Sequence, residues 1–350
     1  MGGDSSKANS FGEVAITYDS NSVYSGSTVS GNINISIKKH LKKAHVTLCF
    51  KGSENTSWIE RVSVHGHDAS KSKQKNQNEE FKGKHSICNT VYELHRWENG
   101  LVKGHYVLPF TYQLPSGIPG TFLYQQDKTK AQIRYKFKVE IFDENDQKIY
   151  DKQPIHVMQE ALTYATDLSQ SKKTKVTCCW CCSRGNCILE IYNQQDTYNP
   201  EQVANVVVKV NTTDSKSVVK NISCKLYYSM RLKSSNDMSH FTTLTLLQTS
   251  STVNVKNNGF ISDCQATLNL NLPTIKKKLE MMYTTRGTLI DFCYSIEVRA
   301  SIKGCFFCLS ERPSLIQSIN IVPNAIILPS APSAPEDWQP TYYDMVRLSL

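Results

Sequence analysis

The stretch that decides the fold is Leu108–Tyr124, which reads LPFTYQLPSGIPGTFLY. Every second residue of its first half is apolar, as in a strand with one buried face: Leu108, Phe110, Tyr112 and Leu114. The prolines and glycines at 115–120 then forbid both a helix and a continued strand, because proline lacks a backbone N–H and fixes φ. The stretch therefore predicts a strand, an extended crossing and a return to strand near Thr121.

A second alternating segment, Ile133–Ile141, follows closely and reads IRYKFKVEI. These features alone fit any β-sandwich with a proline-rich connection. Taken together, however, four features resemble the N-terminal domain of the arrestins. They are Gln113–Pro115, the second proline at Pro119, Thr121–Phe122 and Arg134–Tyr135. The resemblance is closer to the α-arrestins, the arrestin-domain-containing proteins. It implies an immunoglobulin-like β-sandwich.

The same pattern recurs at an offset of about 160 to 174 residues, which is the length of a whole domain. Tyr24–Ile37 is matched by Tyr198–Val210, in which a tyrosine and a turn again lead into alternating aliphatic residues. Leu268–Pro273 is similar to Leu108–Pro115, and Phe292–Arg299 to the strand that contains Tyr135. The sequence therefore predicts an all-β chain of two tandem arrestin-like sandwiches.

The expected division of the chain follows from these repeats and from changes in composition. It has five parts: a disordered N-terminus at 1–10, a sandwich at 11–160, a linker at 161–177, a second sandwich at 178–323 and a disordered proline-rich tail at 324–350. Within the first sandwich, we expect separate strands at 44–50 and 58–64. The polar segment 65–80, which has no periodicity, is expected to be a surface loop.

Composition limits the class of protein. The 350 residues have a mean hydropathy of −0.39 and a formal charge of +9, and no apolar run is long enough for a membrane span. The N-terminus lacks the apolar core of a secretory signal, so the twelve cysteines are expected in a reducing compartment, without a disulfide framework. Gly2 and Ser6 partly match an N-myristoylation site. No motif supports nucleic-acid binding.

Four lysines lie within six residues after the strand that ends at Ile37: Lys38, Lys39, Lys42 and Lys43. We call this group the basic segment. It is interpreted either as the solvated tip of a hairpin or as a patch that attracts phosphate groups of an acidic membrane or of a phosphorylated partner.

Motifs of catalysis are missing from the sequence: it has no phosphate-binding glycine loop, no metalloprotease helix motif and no nucleophile elbow. His65 and His67 have no ligand-type neighbours and are interpreted as surface residues. We therefore expect a protein that is not an enzyme and that requires no cofactor.

The cysteines are the one unusual feature with metal-site spacing. Cys178, Cys179, Cys181 and Cys182 surround Trp180, and Cys305 and Cys308 form a further pair. Two such pairs meet the requirement of a structural zinc site. The favoured ligands are Cys179, Cys182, Cys305 and Cys308, with Cys178 and Cys181 as alternates. Buried thiols and palmitoylation beside the lysines at 172–175 remain open as alternatives.

The proline-rich tail carries two overlapping P-S-A-P motifs, formed by Pro329, Ser330, Ala331, Pro332, Ser333, Ala334 and Pro335. These motifs resemble the ligand of the ubiquitin-binding receptor of the endosomal ESCRT machinery. Further on, Pro340 and Tyr342 belong to a segment that resembles the Pro-Pro-x-Tyr ligand of WW-domain ubiquitin ligases, with Gln339 in place of the first proline.

The resemblance implies a non-catalytic cytoplasmic trafficking adaptor of the α-arrestin type, recruited to the plasma membrane or to endosomes. Such a protein binds cytoplasmic segments of membrane proteins and links this cargo to sorting and ubiquitination machinery. The alternative is a structural subunit of a retromer-like sorting coat, which also uses two arrestin-like sandwiches. Stable association with one fixed partner would distinguish this alternative, which leaves the tail motifs unexplained.

Overall fold

The structure is a computed structural model, and it describes residues 10–20, 22–64, 75–145, 147–162, 168–178, 182–214, 219–252, 263–302, 312–324 and 339–348. Strands dominate throughout these ranges. No helix within them is long and apolar enough to cross a membrane.

Nine strands form the first half of the chain: β1 (Gly12–Tyr18), β2 (Ser22–Tyr24), β3 (Thr28–Ile37), β4 (Ala44–Val64), β5 (Lys75–Trp97), β6 (Gly104–Gln113), β7 (Phe122–Gln126), β8 (Thr129–Phe142) and β9 (Lys148–Met158). They build two sheets packed face to face. One has the order β1-β3-β6, and the other has the order β2-β9-β8-β4-β5, with β7 paired to β8.

The second half begins with β10 (Ser169–Cys178), β11 (Cys182–Asn193), β12 (Thr197–Tyr198), β13 (Val203–Asn211), β14 (Val219–Lys233), β15 (Ser239–Thr252) and β16 (Asp263–Asn271). A 3-10 turn (Leu272–Ile275) and the short helix α1 (Lys276–Leu279) follow. The remaining strands are β17 (Thr285–Arg286), β18 (Ile290–Ile302), β19 (Ser314–Ile321), β20 (Thr341–Tyr342) and β21 (Val346–Leu348).

The two halves have the same topology, which confirms the predicted repeat. The larger sheet of the second sandwich has the order β12-β19-β18-β14-β15, with β17 paired to β18, and so repeats the first strand for strand. In both sheets the first strand pairs in parallel with its neighbour: β2 with β9, and β12 with β19. The smaller sheet of the second sandwich, β10-β11-β13-β16, differs by the added edge strand β10.

The alternating residues of the fold-deciding stretch lie in the core as predicted. Leu108 and Leu114 are each 1% exposed, and Phe110 and Tyr112 are fully buried. Apolar burial of this kind is the main favourable contribution to the stability of a sandwich. The stretch therefore fixes which face of β6 points inward.

A buried tyrosine fixes the crossing segment of each sandwich. The Tyr135 hydroxyl in β8 donates to the Pro119 carbonyl at 2.7 Å, and the Tyr294 hydroxyl in β18 donates to the Met282 carbonyl at 2.5 Å. In the first sandwich the crossing is extended and rich in proline and glycine. In the second it contains the 3-10 turn and α1 instead, which explains why the proline pattern does not recur there.

The prediction of a linker at 161–177 is wrong for the second part of this range. Residues from Ser169 onward form β10, which pairs with β11 in an antiparallel register. Among its described side chains, only Thr174 and Val176 are buried. An edge strand with so few buried positions needs few apolar residues, and its sequence therefore resembles that of a linker. The second sandwich therefore begins before the predicted Cys178.

Two further expectations for the first sandwich were wrong. The strands predicted at 44–50 and 58–64 are one strand, β4, and residues 75–80 of the predicted loop belong to β5. The polar residues between the two predicted segments are not a loop because Glu54 and Thr56 are buried against the second sandwich.

The prediction of a disordered tail is corrected for residues 339–348. β20 and β21 both pair in parallel with β6 and extend the smaller sheet of the first sandwich. An unpaired strand edge offers backbone hydrogen bonds to any extended segment, whatever its composition. The prolines at 329–335 lie outside the described residues.

Candidate functional site

The two sandwiches share a polar contact centred on a buried carboxylate. Glu54 in β4 is fully buried and accepts hydrogen bonds from the backbone N–H groups of Thr288 at 3.0 Å and Leu289 at 2.6 Å. Burial raises the pKa of Glu54, and the two N–H groups act in the opposite direction. Nearby, the Thr56 hydroxyl donates to the Lys233 carbonyl at 2.6 Å. These bonds hold the long strand β4 against the second sandwich.

The end of the fold-deciding stretch completes this interface. The Gly120 N–H donates to the Thr285 hydroxyl at 3.0 Å, and this hydroxyl donates to the Gln159 side chain at 2.9 Å. Next to it, the rings of Phe122 and Phe292 lie 4.9 Å apart. The segment whose sequence identified the first sandwich is therefore also the segment that contacts the second.

The basic segment is not at a hairpin tip as one interpretation had it. β3 and β4 lie in different sheets, so residues 38–43 cross between them. Leu41 is 1% exposed and exchanges two backbone hydrogen bonds with Leu101, which fixes the segment against the turn after β5. All four lysines are exposed, and the Lys39 ammonium lies 5.8 Å from the Phe11 ring centroid. The segment thus presents cations on a fixed backbone.

The tail is anchored at the same end of the sandwich by Tyr343. Its hydroxyl accepts a hydrogen bond from the Trp97 indole N–H at 2.7 Å, and its backbone N–H donates to the Val107 carbonyl at 3.0 Å. The ring lies 4.7 Å from that of His95 and 6.3 Å from that of Tyr106. We call the group His95, Trp97 and Tyr106 the tyrosine pocket.

Burial perturbs the ionisable groups of the tyrosine pocket. It lowers the pKa of His95, which keeps the imidazole neutral, and raises the pKa of Tyr106, to which Tyr343 adds. The Tyr106 hydroxyl donates to the Val102 carbonyl at 2.9 Å, in the turn that also holds Leu41. The pocket and the basic segment are therefore built on the two sides of one turn.

The partner motifs of the tail fall partly within the described residues. Tyr342 is 70% exposed and lies in β20, and Pro340 directly precedes that strand. The residues of the two P-S-A-P copies lie outside the described part, and their role remains a prediction. Tyr343, which anchors the tail, was not among the predicted residues. The sequence signal that could have identified Tyr343 is its spacing to the aliphatic residues Val346 and Leu348.

The zinc prediction remains untested. Cys179, Cys181, Cys305 and Cys308 lie outside the described residues, and for Cys178 and Cys182 only the backbone is described, as a hairpin pair. Within the described ranges, no group of three His, Cys, Asp or Glu side chains is placed to hold a metal ion. Metal analysis of protein purified without chelator would test the site, for which about one equivalent is expected.

Other cysteines behave as buried apolar residues. Cys187 and Cys224 are buried, and burial raises the pKa of Cys187 to about 11 and that of Cys224 to about 12. Since the thiolate is the reactive form, these thiols are unreactive near neutral pH.

The outer face of the larger first sheet carries a basic surface that sequence reasoning missed. Three cations alternate on β8: Arg134, Lys136 and Lys138. Lys136 lies opposite Lys51, and Lys138 opposite Lys152. Like charges at opposed positions destabilise a sheet, although Glu140 forms an ion pair with Lys138 at 2.6 Å. The alternation was visible in the sequence but was used only to assign the strand.

A shallow groove of about 360 Å³ lies on the smaller sheet of the second sandwich. Its ionisable side chains include Glu190 and Lys209, which are cross-strand partners and so compensate each other's charge. The remaining lining residues mix polar and apolar side chains: Ser169, Ile191, Tyr192, Val207 and Gln265.

Comparison with known families decides the classification. The family model for the N-terminal domain of arrestin (or S-antigen) matches residues 14–162, and that for the C-terminal domain matches residues 183–325. The chain belongs to the arrestin family. Each matched region covers most of one sandwich, and β10 of the second sandwich lies between the two regions. Proteins of this family are generally adaptors without catalytic activity that bind membrane cargo proteins.

A curated relative is the arrestin domain-containing protein A of Dictyostelium discoideum. It is 29% identical to the chain over 136 residues, which are 37% of this chain and 22% of the relative. The match thus spans about a fifth of the relative's length.

Proposed function

We propose that this arrestin-domain protein is a cytoplasmic trafficking adaptor of the α-arrestin type. Its sandwiches bind cytoplasmic segments of membrane proteins, and its tail recruits endosomal sorting and ubiquitination machinery. The observation that carries the proposal is the pair of tandem arrestin domains, followed by a tail that contains both kinds of partner motif.

The contact with anionic partners is assigned to the basic segment. Lysines on a fixed backbone attract phosphate groups of an acidic membrane or of phosphorylated cargo, and this attraction weakens with salt. Changing Lys38, Lys39, Lys42 and Lys43 to Glu should abolish binding to acidic vesicles at low salt without lowering thermal stability.

The matched control reverses four exposed lysines of the second sandwich: Lys172, Lys173, Lys277 and Lys278. It has the same net charge as the test variant. If both variants lose vesicle binding equally, net charge rather than the basic segment is responsible.

The sorting link is assigned to the two P-S-A-P copies. They share Pro332, so only one copy can be engaged at a time, and the second adds a statistical factor of about two rather than avidity. In titrations of a 324–350 peptide against an ESCRT-type ubiquitin-receptor domain, Pro332→Ala should therefore weaken binding more than Pro329→Ala or Pro335→Ala. Unchanged binding of the Pro332→Ala peptide would remove this link.

The ubiquitination link is assigned to Pro340 and Tyr342, in a motif that lacks the first proline. The whole proposal is tested by affinity capture with the full chain and with a chain that ends at residue 323. Tail-dependent capture of sorting receptors and WW-domain ligases is expected. A single stoichiometric partner retained by both chains would instead identify a coat subunit.

A further inference from the structure

The larger sheet of the second sandwich ends in a long strand whose outer side is open. This strand is β15 (Ser239–Thr252), and among the described residues no strand pairs with its outer side. Its first part, Ser239–Thr245, pairs with β14 without interruption, and the register shifts only beyond it. We call Ser239–Thr245 the open edge. Its seven residues are the length of an ordinary strand, so a further strand has room to pair along it.

The open edge lacks the charges that the other long edges carry. β15 contains no Lys, Arg, Asp or Glu in its 14 residues. Every other described strand of seven or more residues that ends a sheet contains at least one of them: β1, β5, β10 and β16. β5 holds the same place in the first sandwich and includes Lys82, Lys84 and Glu93. Charges on an edge strand hinder its pairing with another chain, and β15 lacks this protection.

Exposed apolar side chains lie on both faces of the sheet at the open edge. Phe241 is 70% exposed and lies opposite Arg231, on the solvent face. Leu244 is 44% exposed and lies opposite the buried Tyr228, on the face toward the core. A molecule bound to one face would cover only one of these side chains. A strand added beside β15 contacts both, because side chains of a strand alternate between the two faces.

A second copy of the chain supplies a strand that fits this edge. An antiparallel pair related by a two-fold axis uses the same patch on both subunits, so that β15 meets β15. Two uncharged strands pair in this way without placing like charges opposite each other. Over the rest of the surface two copies repel, since each has a formal charge of +9. The open edge is therefore where contact between copies meets the least repulsion.

We propose that the chain forms a homodimer in which the open edges of two copies pair antiparallel and join the two larger sheets into one. Phe241 and Leu244 of each copy are then covered by the other copy. Burial of these apolar side chains adds to the backbone pairing, and the aromatic ring contributes the larger area. The dimer uses neither β6 nor the basic segment, and it does not depend on the adaptor function.

The oligomeric state of the full chain provides the first test. Sedimentation equilibrium should show a monomer–dimer equilibrium at concentrations up to about 100 µM, at which even a weak transient contact is populated. The test variant Thr243→Lys/Thr245→Lys places two exposed cations on the open edge and should raise the dimer Kd at least tenfold. A chain that stays monomeric over this range would overturn the proposal, as would a test variant that dimerises like the unaltered chain.

The matched control carries the same two charges on the corresponding edge of the first sandwich. It is Ser86→Lys/Asn89→Lys in β5, where both positions are exposed. Its dimer Kd should stay within about twofold of that of the unaltered chain, because salt screens charges distant from the contact. Equal weakening by the test and control variants would assign the effect to net charge and overturn the assigned edge.

A charge-swap pair tests whether the occupant is a second copy. Thr243→Glu/Thr245→Glu should lose self-pairing as the lysine variant does, because it also places like charges opposite each other. Mixed in equal amounts, the lysine and glutamate variants should form a heterodimer with a Kd at least tenfold lower than that of either variant alone. This recovery would also show that both variants are folded. A mixture that stays monomeric while the unaltered chain dimerises would overturn the pairing of β15 with β15.

Phe241→Ser tests the apolar contact. It removes a largely exposed ring and should raise the dimer Kd at least tenfold, because each dimer loses two buried rings. The matched control Val91→Ser removes a side chain that is 61% exposed on β5 and should leave the Kd unchanged. Equal loss in both variants would indicate unspecific apolar association and overturn the assigned edge. None of these measurements involves cargo or membranes, so the dimer and the adaptor function fail or stand separately.

Discussion

The two sandwiches reach the same topology through different crossing segments. In the first, proline and glycine residues hold an extended path between Leu114 and Thr121, whereas in the second a 3-10 turn and α1 occupy the corresponding place. In both, one buried tyrosine hydroxyl bonds to a carbonyl of the crossing. The position of the crossing therefore depends on a bond from the sheet more than on the crossing's own sequence.

The sandwiches also differ in the contacts that they make with other parts of the chain. The first contributes Glu54 to the interface, and its strand β6 accepts the tail. The counterpart of β6 in the second sandwich is β16, and among the described residues no strand pairs with its outer edge. Beside β6 the tail makes side-chain contacts as well as backbone pairing, because Tyr343 lies in the tyrosine pocket.

The largest effect is expected at Glu54, where only the first sandwich supplies the charged group. Glu54→Ala leaves the N–H groups of Thr288 and Leu289 without their acceptors, and should lower the free energy of unfolding by about 2–4 kcal/mol. Urea denaturation measures this. The control Glu60→Ala removes a partly exposed pair with His240 and should cost less than about 1 kcal/mol.

A second substitution sharpens the Glu54 result. A Cβ on Gly287 would lie 1.7 Å from a Glu54 carboxylate oxygen, so Gly287→Ala must displace this side chain. In the Glu54→Ala background the clash disappears, and Gly287→Ala should then cost far less than it does alone. Additive costs would contradict the assigned contact.

Loss of the buried tyrosine hydroxyl should lower the free energy of unfolding equally in the two sandwiches. Tyr135→Phe and Tyr294→Phe each remove one buried hydrogen bond without changing the ring, at an expected cost of about 1 kcal/mol each. Thermal or urea unfolding of both variants provides the measurement. If Tyr294→Phe is silent while Tyr135→Phe is not, the second crossing is held by its own turn and helix, and the common principle fails.

The tail contact should affect local rather than global stability. Tyr343→Ala removes the ring from its pocket, so the amides of β6 that face the tail should exchange faster with deuterium, while the unfolding midpoint changes little. Tyr342→Ala is the neighbouring control and should leave exchange unaltered. Equal protection of β6 in the two variants would show that Tyr343 does not anchor the tail.

The smallest effect concerns pH. Burial lowers the pKa of His95, and the Tyr343 ring, 4.7 Å from the imidazole, covers it from the tail side. If Tyr343 supplies part of that burial, the docked tail favours the neutral imidazole, and docking should weaken as pH falls below the usual histidine pKa of about 6.5. Between pH 7.5 and 5.5, the protection of the β6 amides that face the tail, corrected for intrinsic exchange rates, should therefore decrease. His95→Gln should remove this dependence. A slope that persists in His95→Gln would assign it to another group.

The sequence was sufficient for the architecture because apolar alternation records which side chains are buried. Leu108, Phe110 and Tyr112 identified β6, and the repeat of Tyr135 at Tyr294 identified the second sandwich. These residues lie in sheet cores, where period and burial coincide. The predicted repeat is seen in the strand order, which is the same in both larger sheets.

Two of the errors share a cause, which is that contacts distant in sequence change what a polar or aromatic residue does. Glu54 and Thr56 resemble loop residues until the second sandwich covers them. Tyr343 resembles a tail residue until Trp97, 246 residues away, donates to it. No local pattern contains the partner of such a residue, so the interface and the pairing of the tail with β6 required the structure.

The pairing of β6 with residues 339–348 also bears on how the protein behaves in concentrated solution. Gly104–Gln113 would otherwise present backbone donors and acceptors along an exposed edge, next to an aromatic pocket. Edges of this kind template intermolecular sheets, and natural proteins cover them to stay monodisperse. Removing the last dozen residues should therefore lower solubility and favour slow aggregation on storage, even if every contact within the sandwiches is unchanged.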